Sequence, residues 1–239
     1  MNEIENLKSL DPDRFLLSLF INNLDDRRAI TDFDMLNIEI GRLRDVIETP
    51  HMGLIRLKWW EDEIDKIYED KAFAPHPLLS TLQHQIKAYH IPQHLIRDLI
   101  TAREADFEEY DDFILADYAQ DIHAPLMVIK AHILKIQHDR ISDMAKAYAM
   151  VGLVRSIPYY RFQSQIRIPD IQPEAVKNIV LDIERILHDI SVDHPYVKAH
   201  VTLTRLYLKH ITSCGYDLNR LKPLAFKELR LWWGVKFSA

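Results

Sequence analysis

Apolar residues recur along nearly the whole chain at steps of three and four, the spacing that lines one face of an α-helix. Leu16, Leu17, Leu19 and Phe20 open a first short helix after Asp11-Pro12, a cap followed by a first-turn proline. The clearest stripe, Ile30, Phe33, Leu36, Ile40, Leu43 and Ile47, predicts a second helix over about residues 27–48. Pro50 ends that run, and Leu54, Leu57, Trp60, Ile64 and Ile67 mark a third. Pro75 and Pro77 bracket a connection, and Pro92 begins the helix PQHLIRDLITAREADFEEY. A long helix from about 113 contains Pro125, where a kink is expected, and another over roughly 141–164 contains Pro158. Two more start near Pro173 and Pro195, and a last stretch holds Leu229, Leu231, Trp232 and Trp233. The pattern predicts eight to ten helices with short connections. There is no repeat and no linker, so 1–239 reads as a single all-α domain.

Composition narrows this picture. Apolar residues make up 48% of the 239, enough for a sizeable core. With only 5 glycines, hairpin-rich β folds and phosphate-cradling loops are disfavoured. A net charge of −6 argues against a nucleic-acid partner. The single cysteine, Cys214, precludes an internal disulfide and suggests a reducing compartment. The acidic N-terminal stretch resembles neither a secretory signal nor a transit peptide, and no apolar run reaches membrane-spanning length. A cytoplasmic protein, peripheral to a membrane at most, is expected.

Standard catalytic signatures are absent: there is no P-loop, no dinucleotide-type glycine fingerprint and no HExxH motif. The twelve histidines read as surface and loop residues. His90 and His94 have Pro92 between them and do not share a helical face. Cys214, beside Gly215 at a helix end, reads as structural. Trp59-Trp60 fit core packing, and the acidic run 108–112 fits a solvated corner. Trp232-Trp233, flanked by Arg230 and Lys236, suit either the end of the bundle or a membrane surface.

Three segments carry a resemblance to a known family. The first is RRAITDFDMLNIEIGRLRDVIETPHMGLIRLKWWEDEIDKIY, with Glu39, Arg44-Asp45, Gly53, Arg56, Trp59 and Trp60, followed by His76-Pro77-Leu78. The second, LIRDLITAREADFEEYDDFILADYAQDIHAPL, includes Arg103, Glu104 and Asp106. The third, GLVRSIPYYRFQSQIRIPDI, includes Ile168-Pro169-Asp170. In this order, over about residues 10–175, they resemble the squalene/phytoene synthases, especially the subgroup that includes a mitochondrial complex I assembly factor. The resemblance implies an isoprenoid-synthase-type helical bundle with a central cavity.

Active synthases of this kind use two DxxxD motifs facing each other across the pocket. Aspartates at i and i+4 share a helical face and chelate Mg²⁺ that binds the substrate diphosphate. The metal neutralises the leaving group while an allylic cation forms. The resemblance places the first motif at Arg44–Glu48, where Arg44 can pair with Glu48. Asp45 and Glu48, on one face with Gly41, are weak metal candidates. The second motif falls at Ser156–Tyr160, acidic at neither end, with Pro158 between. Glu104 and Asp106 sit at the family's ExD element. Arg44, Arg155 and Arg161 replace or flank lost aspartates, where they suit an anionic group without metal. Gly41, Arg44, Asp45, Glu48, Glu104, Asp106, Arg155, Ser156, Tyr159, Tyr160 and Arg161 are therefore the pocket candidates. Asp45 and Glu48 are expected to face Ser156 and Tyr160.

The reading that follows is a non-catalytic assembly or binding protein with no cofactor. Its expected partners are an isoprenoid or prenyl diphosphate ligand and a respiratory-complex or membrane-surface component. The alternative is a divergent prenyltransferase that uses Mg²⁺ to condense farnesyl or geranylgeranyl diphosphate.

Overall fold

Buried apolar stripes and proline-marked starts recur throughout the computed structural model, which describes residues 3–107, 115–137, 139–160, 172–188, 190 and 193–237. Among these residues there are twelve α-helices and two short 3₁₀-helices, and no strand. The acidic run 108–112, Arg161 and Ile168–Asp170 lie outside the described residues, as do the side chains of Tyr159 and Tyr160. The chain divides into two compact units, 1–114 with 121–141, and 115–120 with 142–239.

The first unit is organised around one helix. Helices α1 (Glu3–Leu10) and α2 (Pro12–Ser18) lead into α3 (Leu24–Gly41). The Asp11 side chain caps α2, with Pro12 in the first turn, as the sequence indicates. Helix α3 begins where the Asn23 side chain accepts from the amides of Asp25 and Asp26, whose carboxylates also suit the positive end of the helix. Ile30, Phe33, Leu36 and Ile40 are fully buried, so the clearest stripe in the sequence is the spine of this unit. Helix α4 (Leu43–Val46), α5 (Pro50–Tyr68), α6 (Pro77–Tyr89) and α7 (Gln93–Thr101) follow, then a 3₁₀-helix, Ala102–Phe107. Helix α3 packs on α1, α2, α6, α7 and this 3₁₀ turn. Helix α8 (Leu115–Ile133) supplies the rest of the unit from Asp121 onward.

Being surrounded, α3 buries polar groups as well, and those described here reach neighbouring elements or their own helix. Asp34 Oδ1 accepts from Arg14 Nη1 at 2.9 Å and from Lys130 Nζ at 2.6 Å. Asp32 Oδ2 accepts from Gln85 at 2.8 Å, and Thr31 donates to the Arg27 carbonyl. Burial pushes the Lys130 ammonium below its ordinary pKa, and Asp34 opposes that shift. Breaking such a network strands a charge in low dielectric, which is costlier than never burying it.

The second unit contains α9 (Ile141–Tyr160), α10 (Pro173–His188), α11 (Pro195–Ser213) and α12 (Lys227–Phe237). Helix α10 buries Val176, Val180, Ile183 and Leu187 at helical spacing and packs on α11. Helix α11 also carries α12, where Leu231 is fully buried and Gly234 lies against Thr202. His200 is not at the surface. It is 2% exposed, with its ring edge-on to Tyr148 and Tyr196 at 4.9 and 4.8 Å. Helix α11 ends at Cys214, followed by Gly215 at φ +66°, a conformation that glycine enters without Cβ strain.

A guanidinium-clamped carboxylate at the end of α3

The second predicted helix does not run through to residue 48. Its α-helical ladder is interrupted at Arg42, the four-residue α4 ends at Val46, and Ile47 is extended at φ −106°, ψ 121°. Pro50 occupies the first turn of α5 and holds Thr49 in extended backbone (φ −113°, ψ 130°), which sets the latest point at which the preceding helix can end. Asp45 is therefore on α4 and Glu48 is beyond it, both exposed. The shared helical face expected for this pair is not formed.

Three of the other candidates do come together. The 3₁₀ stretch has about three residues per turn, so Arg103 and Asp106 eclipse each other and turn inward. Glu104, on another side of the turn, is exposed. Asp106 Oδ1 lies 3.4 Å from Arg44 Nη1, and its Oδ2 accepts from Arg103 Nη1 at 3.3 Å. Arg103 Nη2 donates to Asn37 Oδ1 on α3 at 2.8 Å. The Asp106 side chain is only 2% exposed and that of Arg103 6%. Gly41 makes room for this arrangement, since a Cβ there would stand 3.2 Å from the guanidinium carbon of Arg103. Arg44 also approaches Asp45, at 3.8 Å. Sequence reading singled out Gly41, Arg44 and Asp106 but not Asn37 or Arg103. The one local signal for Arg103 was its i,i+3 spacing from Asp106.

Aromatic packing brackets this site. A Cβ at Gly53 on α5 would be driven into the Phe107 ring, so glycine lets the 3₁₀ turn lie close against that helix. Trp60 is core, edge-on to Trp59 and His76 at 5.1 and 5.2 Å, while the Arg56 guanidinium covers Trp59 at 4.4 Å. In the second unit, the Arg155 guanidinium lies 3.4 Å from the centre of the Tyr207 ring, a cation–π contact on α11. Ser156 donates to the Leu153 carbonyl at 2.7 Å. Tyr160 is the last residue of α9.

The squalene/phytoene synthase model matches residues 7–171, well over half of the chain. The chain belongs to the squalene/phytoene synthase family. Among its relatives is the complex I assembly factor 6 of Bos taurus, 24% identical over 93% of this chain and 79% of that protein. The Homo sapiens protein of that name is 23% identical over 70% of this chain and 51% of its own length. A Dictyostelium discoideum homolog is 27% identical over 69% and 48%. Among solved structures, a dehydrosqualene synthase superposes with a TM-score of 0.76, at 12% identity, over 98% of this chain and 94% of that one. The squalene synthase HpnC from Alicyclobacillus acidocaldarius gives 0.69 at 17% identity, over 90% and 95%. These likenesses establish the isoprenoid-synthase fold for this family member.

The divalent cation that the fold implies needs free, hard oxygen ligands. The side chains at the clamped carboxylate do not offer them. Both oxygens of Asp106 already face guanidinium groups, and two adjacent positive charges repel a dication. Among the described residues, no group of three or more His, Cys, Asp or Glu side chains is placed to hold a metal ion. Among them too, no helix is long and apolar enough to cross a membrane.

Proposed function

We propose that this squalene/phytoene synthase family member acts without catalysis, as an assembly or binding factor in the biogenesis of respiratory complex I. The observation that carries the reading is the occupation of Asp106 by Arg44 and Arg103. In a magnesium-dependent synthase, carboxylates must be free to take up cations as substrate arrives. Here the guanidinium groups supply the compensating positive charge permanently, so no metal is needed to stabilise the buried anion. The names of the bovine, human and Dictyostelium relatives support the assembly role. The structural neighbours support a fold able to hold an isoprenoid or prenyl diphosphate. Such a ligand would be bound as a structural or signalling component and left unreacted.

The test is genetic. Deleting the gene in its own organism should reduce fully assembled complex I on native gels. The chain should restore it, and so should the double variant D45N/E48Q, which removes both candidate metal ligands of the first motif. Unchanged complex I in the deletion strain would overturn the assembly role. Rescue by the parent but not by D45N/E48Q would point to magnesium chemistry.

A further inference from the structure

Helix α12 is apolar on two opposite faces, and only one of them is used inside the second unit. Leu231 is fully buried and Gly234 rests on Thr202 of α11. At 100° per residue, Leu229, Trp233 and Lys236 fall within about 40° of the point opposite Leu231, with Trp232 and Phe237 flanking them. The exposures agree: Leu229 61%, Trp232 48%, Trp233 59% and Phe237 55%. A helix that only closes the end of a fold would place polar residues on this side.

The charge around this face is also distinctive. Helix α12 itself carries Lys227, Arg230 and Lys236 against Glu228, a net +2 in a chain of net −6. Lys236 stands over the Trp232 ring at 4.7 Å and 5.6 Å from the Phe237 ring, and Arg230 borders the aromatic surface. Indoles favour the headgroup region of a bilayer, and long cationic side chains can reach phosphates while their stems lie on apolar surface. We propose that the outward face of α12 docks this protein reversibly onto an anionic lipid surface. Trp232 and Trp233 enter the interface, and Arg230 and Lys236 meet lipid phosphate. The attachment is interfacial, because the helix is only 11 residues long. It stands independently of the assembly role proposed above.

The test uses the full chain and vesicles of phosphatidylcholine with or without one third phosphatidylglycerol. The parent should float with the anionic vesicles, less so in high salt, and hardly with the neutral ones. W232A/W233A should lose most of the binding, and R230Q/K236Q should partition about 30-fold more weakly, at roughly fivefold per charge. Circular dichroism confirms that the variants are folded. Acyl chains brominated near the headgroup should quench the parent's fluorescence, and that quenching should vanish in W232F/W233F. Equal flotation of parent and variants, no flotation of any, or quenching that persists in W232F/W233F would overturn the proposal. So would a concentration-dependent dimer abolished by W232A/W233A without vesicle binding, which would make a second copy the occupant.

Discussion

Arg103 is expected to matter more to the first unit's stability than the surface charges near it, because its side chain is only 6% exposed. Its guanidinium is buried and joins Asn37 on α3 to Asp106, so R103M should deprive a buried amide oxygen of this donor and leave Asp106 with one guanidinium fewer. A loss of about 3 kcal/mol is expected in urea denaturation, in the range for breaking a buried ion pair. R44M should cost less, because Arg44 is partly exposed. Equal, near-zero losses would mean that the clamp is incidental. A second residue-scale expectation concerns acid. Burial alone would raise the Glu63 carboxyl pKa, but hydrogen bonds from Lys66 and the Ala74 amide outweigh it and hold the group below its ordinary 4.5. A carboxylate depressed in the folded state contributes stability above its unfolded pKa and loses it as pH falls through the folded value. E63Q should therefore be less stable than the parent at pH 7, with the gap closing from pH 4.5 downward. A gap independent of pH would contradict this. The sequence made part of this site legible: Gly41, Arg44 and Asp106 were visible as candidates. Arg103 and Asn37 were not, because a pairing across 66 positions leaves no periodic trace.

At the scale of elements, the stripes were readable and one helix end was not. Ile30, Phe33, Leu36 and Ile40 form the spine of α3 as their spacing indicates. Leu43 and Ile47 continue the same spacing past the point where the helix stops, so periodicity carried the reading to residue 48, with Pro50 as its end. Pro50 dictates only an extended Thr49, which a helix to 48 also satisfies, so the earlier stop was not legible from it. His90 and His94 are separated as Pro92 suggests, with His90 ending α6 in the left-handed region and Pro92 capping α7. Two substitutions probe the elements directly. N23A should cost about 1 kcal/mol by removing the α3 cap. L231A should cost about 3 kcal/mol and loosen α12 from α11, giving faster amide exchange over 227–237. Protection unchanged by L231A would mean that other contacts hold the helix.

For the molecule as a whole, family and fold were legible because they rest on many weak matches in one order along the chain. By sequence resemblance the family's magnesium-binding carboxylates fall near Asp45, Glu48 and Asp106, and the structure shows what surrounds each. Glu48 lies beyond its helix, Asp45 stands beside Arg44, and Asp106 faces two guanidinium groups. The most direct measurement is incubation of the purified chain with farnesyl and geranylgeranyl diphosphates and Mg²⁺, following released diphosphate and extracted hydrocarbon. No diphosphate above the protein-free blank, and no squalene- or phytoene-type product, is the predicted result. Turnover to either product at a rate proportional to protein concentration would contradict the account.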